Sequence, residues 1–173
     1  MSPVETATIE LRPLDVPLLT ALAADAAAYG EREGLALGEH AALLQRVARE
    51  TLRFMQATGA AAPWAGYLTI DPVRRLVIGT CAFKGPPDAD RVVEVAYFTF
   101  PSHEGRGYAT AMARALRDQA SADSAVRVVR AHTLPVLNAS ARILEKLGFR
   151  HMGEILDPED GLIWRWDWPV TAS

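Results

Sequence analysis

Two features of this chain carry side chains suited to chemistry. The first is the run Glu104-Gly105-Arg106-Gly107-Tyr108-Ala109. Gly105 and Gly107 lack a Cβ, so the backbone bends tightly there and a ligand can come close to it. A helical apolar pattern follows at Ala109, Met112, Ala113, Leu116 and Ala120, with Arg114, Arg117 and Asp118 on the other side. The first N–H groups of such a helix have no intrahelical partner and lie at the positive end of its dipole. With Arg106 beside them they form a cradle for a pyrophosphate. The second feature is Glu94, an acid inside the apolar run 92–100. A carboxylate there is costly unless solvated or paired, and partial burial raises its pKa toward the range of a general base. The simpler alternatives are a plain strand-to-helix turn that needs positive φ, and an edge-facing Glu on a wet side.

Two other phosphate motifs fit worse. A Walker loop needs a Lys after its second glycine, and none follows here. A dinucleotide fingerprint needs a third glycine where Thr110 stands.

The elements that must position these groups read as follows. Residues 8–14 alternate as a strand ended by Pro13. Asp15 caps a helix with Pro17 in its first turn, running to about Tyr29 and broken by the segment Gly30 to Gly34. A second helix runs from Glu39, with Leu43, Leu44, Val47, Thr51, Phe54 and Met55 at helical spacing and Arg46, Arg49 and Arg53 on its wet face, to Gly59. Residues 65–70 and 76–84 form a hairpin around Asp71-Pro72. The Glu94 strand and the cradle helix come next. Val126 to Ala131 is a further strand, expected parallel to the Glu94 strand because a helix joins them. A last helix starts near Asn138 and ends at Gly148, with Phe149 packing back. Residues 150–156 and 162–168 close the chain as a hairpin whose Trp164, Trp166 and Trp168 share one face, as core packing.

The 173 residues, 50% hydrophobic, suffice for one core, and the expectation is a single domain over residues 1–173. The net charge of −3 and the lack of a Lys/Arg block give no electrostatic footprint for nucleic acid. A single cysteine, Cys81, permits no intrachain disulfide and fits a reducing, cytoplasmic compartment. It lies in a strand with no base nearby and reads as a structural thiol. The first residues have neither the basic start nor the apolar run of a leader, and no stretch is long and apolar enough for a membrane span. His40, His103 and His151 lack metal-ligand spacing, so no metal is expected. His132 follows a strand end and reads as a surface or cap residue, or as a proton carrier.

The run Glu104 to Ala109 resembles the acyl-CoA-binding motif of the GNAT acyltransferase superfamily, Gln/Arg-x-x-Gly-x-Gly/Ala, with Glu104 as the departure. The block from Asn138 through Ser140 and Lys146 to Gly148-Phe149 is similar to the family's late helix, with Asn one place nearer to Ser. Val93-Glu94-Val95-Ala96-Tyr97 is similar to the Glu-Ile-Gly-Tyr strand of ribosomal-protein-acetyltransferase-like members. Together these blocks cover roughly residues 64 to 168, in the family's order.

The resemblance implies an α+β fold. Its mixed, mostly antiparallel sheet has about seven strands and about four helices, and its central parallel pair splays into an acyl-CoA cleft. It implies an N-acetyltransferase moving an acetyl group from acetyl-CoA to a primary amine, a small molecule or a protein N-terminus, by direct attack in a ternary complex. The cosubstrate would lie along Phe98, Thr99 and Phe100. It would be held by Gly105, Arg106, Gly107, Tyr108, Ala109 and Thr110, with Asn138 and Ser140 contributing; a helix cap is the alternative for those two. A backbone N–H near Phe98 would face the oxyanion. Glu94 would be the base, through a water. Many relatives carry a Tyr as general acid where this chain has Leu144, leaving Ser140, Tyr97 or water for that step. The acceptor pocket would be lined by the first two helices, their link from about Tyr29 to Gly38 and the closing hairpin, with Glu31 and Glu33 suited to a cationic amine. A homodimer is compatible with this reading. The alternative from another class is a non-catalytic acyl-CoA-binding or sensing domain of the same fold, which the missing Tyr keeps open.

Overall fold

The structure is a computed structural model and describes residues 7–171. Residues 1–6, read above for a leader, lie outside them. Seven strands form one sheet: β1 (Glu10–Pro13), β2 (Gly66–Asp71), β3 (Leu76–Phe83), β4 (Val92–Thr99), β5 (Val128–Thr133), β6 (Arg150–Asp157) and β7 (Gly161–Pro169). Their order is β1-β2-β3-β4-β5-β7-β6, and only the β4–β5 pair is parallel. That pair is joined through a helix, as a parallel crossover requires. Pairing between β4 and β5 stops at Glu94 and Arg130, although both strands continue. Beyond that point they part, as the resemblance implied.

Five α-helices are present among the described residues: α1 (Val16–Ala24), α2 (Ala26–Glu33), α3 (Ala41–Thr58), α4 (Tyr108–Ser121) and α5 (Ala139–Lys146). The sequence suggested about four, with the first running to about Tyr29. The break falls earlier, at Asp25, whose backbone is extended (φ −159°) and whose Oδ1 accepts from the Ala28 N–H at 3.0 Å. The carboxylate caps a new helix and so ends the old one. Gly30 lies inside α2 instead of breaking it; a Cβ there would sit 2.8 Å from the Leu35 carbonyl oxygen, so glycine lets the link fold back on the helix.

Two cores flank the sheet. Val93, Val95, Val129, Met112, Leu116, Leu144 and Trp166 pack on the α4–α5 side. Leu19, Leu22, Leu44, Leu68, Ile70, Val77 and Phe100 pack on the α1–α3 side. Trp166 is buried and donates its indole N–H to Thr133 Oγ1 at 3.0 Å, while Trp164 and Trp168 pack against the same core. α5 ends in a paired cap: Gly148 (φ 86°) donates to Glu145 O and Phe149 to Leu144 O, and both Leu144 and Phe149 are buried. Cys81 is buried, and burial pushes its thiol up to about 12 against the opposing bond from Thr69, so it is an inert structural thiol.

β3 and β4 approach closely at one place. A Cβ on Gly79 would run into the Phe98 carbonyl oxygen and lie 3.1 Å from Thr99 Cα. On the other side of Gly79 the β2–β3 register slips between Thr69 and Ile70. A bulge of this kind bends the strand that carries it.

Candidate active site

Three cavities border the place where β4 leaves β5. The first, of about 570 Å³, lies on the α4–α5 side and is lined by β4, the Gly105–Gly107 turn and the starts of α4 and α5. Gly105 (φ 74°) and Gly107 (φ 81°) both take left-handed backbone, and a Cβ on Gly105 would meet nothing, so conformation and not space demands glycine there. α4 begins at Tyr108 with no side-chain cap, which leaves its first N–H groups for a ligand. Thr99 Oγ1 and His103 Nδ1, both from residues lining this cleft, are buried without a hydrogen-bond partner among the described residues. Buried polar atoms of that kind are rare in a folded protein and mark where a ligand or water binds.

Of the residues expected along the cosubstrate, Phe98, Thr99, Gly105, Gly107, Tyr108, Ala109, Thr110 and Ser140 line this cleft. Three others lie elsewhere. Phe100 is fully buried in the opposite core, stacked on His40 at 4.6 Å. Arg106 lines a separate cavity with Asp71, Arg74 and Tyr108. Asn138 caps α5, its Oδ1 accepting from the Ala141 N–H at 3.0 Å, which is the cap reading of that residue.

The cradle turn is tied down by Asp71. Its carboxylate is buried and accepts from the Val73 and Arg74 N–H groups, from the Arg74 guanidinium at 2.9 Å and from the Tyr108 hydroxyl at 2.6 Å. Burial pushes this carboxyl upward, but the Tyr108 and Arg74 bonds outweigh it and hold it down at about 2, below the ordinary 3.8. A group with a depressed folded pKa stabilises the fold above its unfolded value and loses that contribution as pH falls through the folded one. Asp71→Asn is therefore expected to lower stability by about 2 kcal/mol at neutral pH. Chemical denaturation at several pH values checks this: the difference from the parent should shrink as pH drops from 3.8 toward 2.

The second cavity, of about 290 Å³, holds Glu94, His132, Lys84 and Asp160. Glu94 Oε1 lies 2.8 Å from His132 Nδ1 and 2.8 Å from Lys84 Nζ. Burial pushes the Glu94 carboxyl upward, yet the His132 bond and then Lys84 prevail and hold it at about 2. This corrects the expectation of a raised pKa: the opposing partners decide the sign, and the sequence pattern of one strand does not contain them. His132 Nε2 is buried with no hydrogen-bond partner among the described residues. With its Nδ1–H given to a carboxylate, an imidazole keeps Nε2 as a proton acceptor.

The third cavity, of about 380 Å³, lies between α3 and the β3–β4 face, and includes Lys84, Ala96, Tyr97 and Phe98. Tyr97 borders all three spaces. Burial pushes its phenol up to about 12, against an opposing interaction with Ser140, so it stays protonated. Leu144, at the position where relatives carry the acid, is wholly in the core.

Of the elements expected around the acceptor, α3, the second of the two helices, lines the third cavity, whereas the link borders none of the three. Glu33 pairs with Arg12 at 3.6 Å, Ala36 bridges to Leu76, and Glu31 borders a depression that shares no residue with the three cavities. The closing hairpin does reach the second cavity, through Asp160 and Ile163. The place of His103 in the cleft and the pairing of His132 with Glu94 went unread in the sequence. Alternation in β4 and β5 places Glu94 and His132 near the parting strands, and that was the available signal for the pair.

No group of His, Cys, Asp and Glu able to hold a metal occurs among the described residues. No helix among them is long and apolar enough to cross a membrane.

Residues 8–150 match the family model described as an acetyltransferase (GNAT) domain. Among curated protein sequences none matches this chain. Among solved structures, the ribosomal alpha-N-protein acetyltransferase RimL in complex with coenzyme A aligns over 97% of each chain, with TM-score 0.65 and 16% identity. An acetyl transferase from Salmonella typhimurium, described as modifying the N-terminal serine of a 50S ribosomal subunit protein, covers 98% of each chain at TM-score 0.63 and 18% identity. Mutant forms of the spermidine/spermine N-acetyltransferase SpeG from Vibrio cholerae cover 93% of each at TM-score 0.63 and 12% identity. These likenesses concern the fold: a seven-stranded, mostly antiparallel sheet with one splayed parallel pair. With a family model matched over most of its length, this chain belongs to the GNAT acetyltransferase family.

Proposed function

We propose that residues 1–173 act as one N-acetyltransferase domain that moves an acetyl group from acetyl-CoA to a primary amine in a ternary complex. The observation that carries this reading is the meeting of three cavities at Tyr97, where β4 parts from β5. The pyrophosphate lies against the Gly105–Gly107 turn and the uncapped start of α4. The pantetheine arm follows Phe98 and Thr99 in the splay. Its amides are the partners for the orphaned Thr99 and His103 atoms.

The acceptor amine approaches from the side of Glu94 and His132. As its nitrogen bonds to the thioester carbon, the C–S bond breaks and the amine proton passes to His132 Nε2. Glu94, held ionised, orients His132 and stabilises the imidazolium that forms; the same geometry leaves a carboxylate at about 2 too weakly basic to take the proton itself. The base therefore moves from Glu94 to the histidine it holds. Tyr97 gives its proton to the leaving thiolate and recovers one through Ser140. Holding donor and amine in register supplies the largest share of the rate, on the order of 7 kcal/mol at best.

Calorimetric titration with coenzyme A, followed by thiol release from acetyl-CoA with a panel of amines, tests the proposal. Binding together with amine-dependent thiol release is the expected result. Binding without turnover on every amine favours a sensing domain, and no binding removes the cradle.

A further inference from the structure

The cavity under α3 has no part in the steps above. Val47, Thr51, Phe54 and Met55 of α3 form one wall, and Ala82 and Phe98 of the sheet form the other. Glu50 and Lys84 are its charged residues, and Lys84 is already paired with Glu94. Glu94, Ala96 and Phe98 alternate along β4 and so share one face of the sheet. The cavity therefore adjoins, across Ala96, Tyr97 and Lys84, the space that holds Glu94 and His132. Phe54 and Phe98, both 46% exposed, leave large rings in water at its border.

We propose that this cavity receives an apolar arm of the acceptor. The substrate class is then a primary amine one or two carbons from an aryl or branched alkyl group. The inference rests on the N-acetyltransferase reading of the same site. Size agrees: an apolar cavity of about 150 Å³ holds a benzene ring, and this one, of about 380 Å³, takes a ring with its short chain. Charge agrees as well. A second ammonium entering here would shed water against aliphatic and aromatic walls, with the exposed Glu50 as its one uncommitted counter-charge among the lining residues. The class thus differs from a polyamine. A free arylalkylamine and a chain terminus with a large apolar first side chain present the same chemistry.

The test uses the full chain with saturating acetyl-CoA. Thiol release is compared for 2-phenylethylamine, a short peptide beginning with Phe, the same peptide beginning with Ser, and spermidine. The expected result is a kcat/KM at least ~10-fold higher for an apolar-armed amine than for spermidine or the Ser peptide. Which of the two apolar-armed amines leads identifies the source. Thr51→Phe, which fills the cavity, and Phe54→Ala, which removes a wall at a half-exposed position, are each expected to raise KM for the leading amine by about 10-fold. Coenzyme A titration of both variants reports that they are folded. Preference for spermidine or the Ser peptide overturns the inference and leaves acetyl transfer standing, as does an unchanged KM in both folded variants. Failure of the parent to bind coenzyme A removes the activity and this inference with it.

Discussion

His132→Gln is expected to lower kcat by about 10²- to 10⁴-fold, the usual contribution of a positioned general base. The KM for acetyl-CoA should hold, because His132 lines the second cavity and not the cosubstrate cleft. Gln keeps roughly the volume and one polar contact to Glu94 but offers no basic nitrogen where Nε2 stands. Steady-state kinetics with both substrates varied makes the split visible. Glu94→Gln should fall less far, since it disturbs the orientation of the base and spares the base itself. The carboxyl, held at about 2, stays charged across the working range. An inflection of kcat between about pH 6 and 9 therefore belongs to another group. If His132→Gln turned over at the parental rate, proton transfer by this pair would be excluded. Full turnover of Glu94→Gln over the same range would take Glu94 out of the mechanism.

Gly79→Ala is expected to destabilise the protein by about 3 kcal/mol or more, as backbone overpacking does. At an open strand position the same change stabilises by roughly 0.5–1 kcal/mol. Here the new methyl would strike the Phe98 carbonyl and crowd Thr99 Cα, and neither is a flexible side-chain tip that can swing aside. β3 and β4 must move apart, which corresponds to a melting temperature lower by about 10 °C. The displaced segment is also the edge of β4 that faces the cosubstrate cleft through Phe98 and Thr99. The KM for acetyl-CoA should rise together with the loss of stability. An unchanged melting temperature would mean that the two strands separate freely and that their closeness constrains nothing.

The parts of the site built from neighbouring residues were legible in the sequence. Gly105 and Gly107 announce left-handed backbone, the helix pattern after them announces α4, and the helix between β4 and β5 announces a parallel pair. The Gly148-Phe149 cap was readable for the same reason. What failed depends on distant partners. Glu94 looked like a carboxylate with a raised pKa because a strand pattern shows burial and hides Lys84 and His132, which arrive from β3's end and from β5. Asn138 was open between ligand and helix cap, and its Oδ1 makes the cap. Phe100 was expected along the cosubstrate through its backbone; its ring lies in the far core. The space beneath α3 is set by how far that helix stands from the sheet, and periodicity carries no such distance. The break at Asp25 was local but faint: an aspartate among alanines resembles helix interior until its carboxylate takes the Ala28 N–H.

The parting of β4 and β5 turns the sheet into a wall with a window in it. In the proposed reaction, donor and acceptor would stand on opposite sides of that wall and exchange an acetyl group through the opening beside Tyr97. Neither has to cross the other's route. On that reading spent thiol and finished amide would each retreat the way their precursors came, and the departure of one would not wait on the other.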